Sequence, residues 1–285
     1  MVTTNLGKDF AIRMDPARLG ARAGIKLDPW QADVMRSTDA QLILNCHRQS
    51  GKSSVVALKA LHVALYQARA LVLLLSPSLR QSRELFRKVT DVYRALDRPL
   101  PPAVDNKLEL ELSNGGRIVS LPGTEATIRG FSAPRLVIMD EASKIPAALY
   151  TAVRPMLAIS RGSLALLSTP FGPRGFFHQE WTAGGPNWKR VLRTADQCPR
   201  ITAEWLAEEK RHMTDVEFRQ EFFCEFGEIA GAFFSEAEIL AAFRKGNEET
   251  EDGDPYGTLS DLFKDFPMSQ GDLAQQALLS LGGNL

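Results

Sequence analysis

Four short runs of nearly unbroken aliphatic residues constrain this chain more than any other feature: Gln41–Cys46 (QLILNC), Ala70–Ser76 (ALVLLLS), Arg135–Asp140 (RLVIMD) and Ser163–Ser168 (SLALLS). A strand with one face in water alternates apolar and polar residues. Runs like these have no polar face and need cover on both sides. The stretches between them carry helical periodicity. One helix follows Cys46 to about Gln67. A second opens at Pro77 and Ser78 and places Leu85, Phe86, Val89, Val92 and Leu96 on one side. A third covers Pro146–Ile159, where Pro155 should bend it. Buried strands separated by helices predict an α/β fold, a mostly parallel sheet sandwiched between helices. Leu108–Leu112, the Asn114-Gly115-Gly116 turn and Arg117–Leu121 read as a hairpin beside it.

Composition sets the outer bounds. The 285 residues are 44% hydrophobic and 24% charged, which supports a packed core and excludes a collagen-like or largely disordered chain. The charges cancel overall but not locally: residues 1–245 carry 33 basic and 26 acidic side chains, residues 246–285 carry 1 and 8. A mildly basic body is compatible with a polyanionic partner. Cys46, Cys198 and Cys224 are far apart in sequence, so neither a disulfide framework nor a zinc ribbon is expected, as in a reducing cytoplasm. His47, His62, His178 and His212 show no paired metal spacing. No apolar run is long enough to span a bilayer, so the expectation is a soluble cytoplasmic protein with no membrane partner. Residues 1–24 show no sustained period and read as an N-terminal extension. After Phe226 the signal fades: Ala232–Phe243 reads as one more short element, and Gly246–Gly257 (GNEETEDGDPYG) as an acidic flexible linker.

The chemistry concentrates after the first strand, in His47-Arg48-Gln49-Ser50-Gly51-Lys52-Ser53. A strand, a tight loop ending Gly-Lys-Ser and a following helix make a phosphate-loop arrangement. Backbone amides of the loop, Gln49 and Ser50 included, and of the helix start face an anion, and Gly51 lets the backbone come close. Lys52 reaches the β- and γ-phosphates of a nucleotide such as ATP, and the Ser53 hydroxyl can ligate Mg2+. Cys46 stands where the usual pattern has its first glycine. A second segment, Leu136-Val137-Ile138-Met139-Asp140-Glu141, is an apolar strand ending in two acids. Asp140 is placed to hold magnesium, and Glu141 to act as general base on the attacking water.

Together these residues resemble the ATPase domain of viral terminase large subunits, the motors that package DNA into phage procapsids. The glycine-poor loop with its early Arg48 is similar to that family's variant phosphate loop, which accounts for Cys46. Leu27-Asp28-Pro29-Trp30-Gln31 is similar to its adenine motif, which implies that Gln31 reads the base edge. Ser168-Thr169-Pro170 is similar to the coupling motif that passes γ-phosphate sensing to the DNA grip. Ile128-Arg129-Gly130 resembles the segment that supplies an arginine to the neighbouring subunit's ATP; Arg48, acting within its own subunit, is the competing candidate. Glu217–Gly227 looks like the segment closing the ATPase domain.

The resemblance covers roughly residues 25–230 and implies a P-loop NTPase of the ASCE type. It implies ATP and magnesium as cofactors and double-stranded DNA as cargo. Self-assembly into a ring is also implied, a pentamer on the portal, with the portal protein and terminase small subunit as partners. Residues 231–285 lack the strands of the nuclease domain that full terminases carry, so cleavage is not expected. Asp252-Gly253-Asp254-Pro255 has no apolar strand before it and reads as linker. A helicase-like remodelling ATPase and a prophage remnant that binds without turnover stay open as alternatives. Trp181, Trp188 and Trp205 read as packing residues. The basic run Arg80, Arg83, Arg87 and Lys88 reads as a solvated helix face, with contact to phosphates without sequence reading as the alternative.

Overall fold

In the computed structural model, residues 6–123, 128 and 130–227 are described, and all of them fall in the contact-defined unit Met1–Gly227. The aliphatic runs become strands β1 (Gln41–Cys46), β2 (Leu71–Ser76), β6 (Leu136–Asp140) and β7 (Ser163–Ser168). Four more strands complete one sheet: β3 (Pro102–Asp105), β4 (Glu109–Leu112), β5 (Arg117–Pro122) and β8 (Trp188–Arg193). The strand order is β3-β4-β5-β2-β6-β7-β1-β8. The pairs from β5 through β8 are all parallel, and only the β3–β4 and β4–β5 pairs run antiparallel. The predicted hairpin is therefore β4–β5, and its second strand continues the main sheet by pairing with β2.

Alternation along the central strands explains why the runs have no polar face. Leu42 and Leu44, Val72 and Leu74, Leu136 and Ile138 enter one core. It is covered by α4 (Lys52–Tyr66) and α5 (Leu79–Ala95), with Ile12 of α1 (Leu6–Met14), Leu19 of α2 (Arg18–Arg22) and Val34 of α3 (Pro29–Arg36). Ile43, Leu73, Leu75, Val137, Met139, Leu164 and Leu166 enter the other, under α6 (Ala147–Ser160) and α7 (Gly175–Thr182). A third, small cluster joins Leu206 of α8 (Ala203–Glu209) to Phe218 and Phe222 of α9 (Asp215–Phe223). Helix α6 runs through Pro155. Lys59 of α4 closes the C-terminus of α3, its ammonium donating to the carbonyls of Val34, Met35 and Ser37 at 3.1, 3.3 and 2.8 Å.

Several elements differ from the sequence expectation. Residues 6–24, without a sustained period, form α1 and α2 and contribute Ile12 and Leu19 to the core. Strand β8 (WKRVLR) is charged because it is an edge strand, where polar residues are tolerated. Trp188 is buried and donates its indole N–H to Glu180 at 2.6 Å, whereas Trp205 stays half-exposed with its ring edge-on to Phe222. Arg80, Arg83, Arg87 and Lys88 are exposed on α5. Arg129, Ala232–Phe243, Gly246–Gly257 and the Asp252–Pro255 segment lie outside the described residues. Among the described residues, no helix is long and apolar enough to cross a membrane.

Candidate active site

Parallel strands deliver their C-terminal ends to one edge of the sheet, and at such an edge ligands of open α/β folds bind. Strand order sets β7 between β6 and β1, so the loops after these three strands are neighbours. Residues 47–51 follow β1 and lead straight into α4. Two of them carry left-handed backbone, Gln49 at φ 60° and Gly51 at φ 87°. The left-handed backbone favours glycine at 51, and a Cβ there would also press on the Gln31 amide, at 2.5 Å from Nε2. The amides of His47, Arg48 and Ser50 are spent within the protein, on the carbonyls of Arg193, Glu221 and His47. The amides of Gln49, Gly51, Lys52 and Ser53 meet no acceptor among the described residues, and the buried Ser50 hydroxyl has no partner there either. Unspent donors around a helix start fit a phosphate group.

The acidic end of β6 faces this loop. Ser53 Oγ donates to Asp140 Oδ2 at 3.1 Å, and Lys52 Nζ stands 3.7 Å from Glu141 Oε1. Two segments 87 residues apart thus meet at both positions. Lys52 and Asp140 are buried, while the Glu141 side chain is 25% exposed and remains within reach of water. Burial, reinforced by the adjacent Glu141 charge, pushes the Asp140 carboxyl up to about 6, against the pull of Lys52 and Ser53. A carboxylate driven toward protonation by burial gains most from a cation. Glu141 itself has left-handed backbone, φ 54° and ψ 44°, uncommon for a residue with a Cβ and typical of strained functional positions.

The donor set suits magnesium. No group of three His, Cys, Asp or Glu among the described residues forms a protein-only cage. One hydroxyl and one carboxylate are what Mg2+ takes when phosphate oxygens and water fill its remaining positions.

The other sequence candidates fall around this centre. Gln31 is buried on α3; its Nε2 donates to the Ser50 carbonyl at 3.1 Å, and its Oε1 accepts from the Asp28 amide at 2.9 Å. A primary amide has two N–H groups and two lone pairs, so one of each stays available to an adenine edge. Ser168 and Thr169 end β7 against the turn that follows Glu141: Ser143 Oγ lies 2.7 Å from Ser168 Oγ and donates to the Thr169 carbonyl at 3.0 Å. Arg48 is turned away, with Nε 2.5 Å from Glu221 Oε2 on α9. Among the described residues, Lys52 is the cation in ion-pair contact with the acidic pair.

Four contributors were not foreseen. Ser143 joins the loops after β6 and β7, and its place on the turn behind the acidic pair was the only available signal. Glu221 holds Arg48, Gln220 accepts the Gly172 amide at 3.3 Å, and Asn45 donates to the Cys224 carbonyl at 2.9 Å. These pairs are separated by between 48 and 179 residues, so no local pattern announces them.

A parallel sheet with a phosphate loop after one strand and an acidic pair after another defines the P-loop NTPase class. The model for the family "Terminase large subunit, T4likevirus-type, N-terminal" matches residues 44–241, and the chain belongs to that family. It is 25% identical over 252 residues to the terminase large subunit of Thermus phage G20c, covering 76% of this chain and 52% of that protein. The chain thus spans about half the length of the curated relatives it matches. The fold is shared with the large terminase ATPase domain of Thermus phage P74-26, at a TM-score of 0.63 and 22% identity over 73% of this chain and 97% of that one. It is also shared with a thermophilic bacteriophage large terminase in complex with ADP, at a TM-score of 0.55 and 11% identity over 75% and 53% of the two chains.

Proposed function

We propose that this domain hydrolyses ATP with magnesium and that the hydrolysis drives double-stranded DNA into a procapsid, as the motor part of a terminase large subunit. The observation that carries the reading is the double meeting of loop and strand end, Lys52 with Glu141 and Ser53 with Asp140. Membership of the terminase family and the ADP complex of a structural neighbour support ATP as the ligand.

The residues divide the work as follows. Gln31 offers its spare N–H and lone pair to adenine while bracing the loop at Ser50. The amides of residues 49–53 and the Lys52 ammonium hold the phosphates. Ser53 and Asp140 hold magnesium, which when bound neutralises charge on the phosphate oxygens. With Lys52 drawn to the phosphates, Glu141 is released to take a proton from the attacking water. Ser168 and Thr169, tied to the Glu141 turn through Ser143, report the state of the site to the rest of the domain. Arg129 is proposed to act on a neighbour's nucleotide in a ring of subunits, pentameric on the portal. Arg48 can act within its own subunit once Glu221 releases it. The portal protein, the terminase small subunit and DNA are the proposed partners in the host cytoplasm. The ATPase domain is assigned to residues 25–230, and DNA cleavage is not part of this reading.

Phosphate release by the purified chain, with and without magnesium, tests the proposal. Glu141→Ala should lower the rate at least about 100-fold, the usual size of a general-base effect, while nucleotide binding survives. Equal rates for the two proteins would leave a folded, non-hydrolysing nucleotide binder.

A further inference from the structure

The loops that leave β6 and β7 carry a feature the ATP site does not use. Phe171, two residues past Thr169, is half-buried and has two exposed cations over its ring: Lys144 Nζ at 5.6 Å from the centroid and Arg174 Cζ at 5.1 Å. Lys144 closes the short turn that follows Glu141, and Arg174 immediately precedes α7. Some exposed cations elsewhere on the surface have an acid at hand, as in Arg87–Glu84, Arg94–Asp91 and Arg211–Glu208. Among the described residues neither the Lys144 nor the Arg174 side chain has a carboxylate within ion-pair distance, and each lies over the Phe171 ring.

Cation–π contact holds both heads in place without neutralising them, so an incoming anion meets two oriented charges at reduced entropic cost. The cluster is also mechanically connected. Ser143, next to Lys144, is bonded to Ser168 and to the Thr169 carbonyl, and Gly172, next to Phe171, is bonded to Gln220 of α9. These bonds tie the loops that carry the two cations to the end of β7 and to α9.

We infer that Lys144, Phe171 and Arg174 form a contact for the sugar–phosphate backbone of duplex DNA, placed on the loops that sense the nucleotide. This rests on the ATP-driven DNA motor proposed above. It names where that motor touches its cargo. Arg and Lys heads are the usual donors to phosphate oxygens, and two of them on an aromatic plate match a contact that positions the backbone without reading sequence.

The test uses the whole 285-residue chain and a labelled mixed-sequence DNA duplex, with affinity measured by anisotropy between 50 and 200 mM KCl in the presence of ATPγS. In Lys144→Gln/Arg174→Gln the slope of log affinity against log salt should flatten by about 2, and affinity near 0.1 M salt should fall about ten-fold per lost cation. The charge-keeping pair Lys144→Arg/Arg174→Lys should retain the slope, which separates phosphate contact from lost packing. An unchanged slope and affinity in the neutral variant would overturn the inference, as would a wild-type chain that does not bind the duplex. Equal loss in the charge-keeping variant would also overturn it. So would altered self-association with unaltered DNA binding, which would assign the cluster to a second copy. Phosphate release measured without DNA reports on the ATP site alone: hydrolysis with failed DNA arms sinks only this inference, and the converse sinks only the catalytic reading.

Discussion

Cys46 shows how far one position can depart from the common phosphate-loop pattern without loss of the site. It ends β1 fully buried in the core, and Gly51 alone supplies the close approach on which the loop depends. Burial, opposed by Lys52, Arg193 and the neighbouring Ser50, pushes its thiol up to about 12. The thiolate is the reactive form, so Cys46 should resist iodoacetamide at pH 8 in the folded chain and react once urea unfolds it. Mass spectrometry of the labelled peptide reads this directly. Rapid native labelling would mean that the loop opens often and is not preorganised. The acidic pair makes the complementary point. Two adjacent carboxyls differ in role because Asp140 is buried on Ser53 while Glu141 leaves the strand through a left-handed turn toward water.

At the scale of elements, the fold was legible where burial is two-sided and illegible where it is not. Strands β1, β2, β6 and β7 announce themselves because both faces are apolar. Strand β8 hides because Lys189 and Arg190 occupy an edge, with the Arg190 guanidinium donating to the carbonyls of Glu180, Trp181 and Gly185. The β4–β5 hairpin was readable from its Asn-Gly-Gly turn, but the reason for its second glycine was not. A Cβ on Gly116 would lie 2.1 Å from the Ala64 carbonyl oxygen near the end of α4, which backbone cannot vacate cheaply. Gly116→Ala should cost roughly 1–3 kcal/mol, the range of overpacking in a tight core. Urea unfolding followed by circular dichroism measures it, and a loss under half a kcal/mol would show that the hairpin shifts freely against α4. The site divides along the same line. Lys52, Ser53, Asp140 and Glu141 lie at the ends of readable elements, whereas Arg48–Glu221 and Asn45–Cys224 depend on where α9 docks, which no sequence window contains.

At the scale of the described molecule, contacts remote in sequence tie late segments of the chain to early ones. Arg200 forms a two-pronged pair with Asp28, at 3.1 and 2.8 Å, joining the segment before α8 to the residue that opens α3. The guanidinium holds the Asp28 carboxyl below its usual range, so the pair contributes stability above the unfolded value near 3.8 and loses it as pH falls through the folded value. Because Arg200 is mostly exposed, the contribution at neutral pH should be under about 1 kcal/mol. Arg200→Gln should therefore lower the urea midpoint slightly at pH 7, with the difference shrinking as pH falls below 3.8 and vanishing once the folded Asp28 carboxyl is protonated. A gap that persists in acid would mean that Arg200 acts through packing. The Asp28 amide also donates to Gln31, so the same clasp steadies the residue proposed to meet adenine.

The most direct test of the account is a crystal structure of Glu141→Gln grown with ATP and magnesium. The account predicts a triphosphate cradled by residues 49–53, Lys52 against its terminal phosphates, and the metal between Ser53 and Asp140. A nucleotide bound elsewhere, or a metal that ignores both residues, would contradict it.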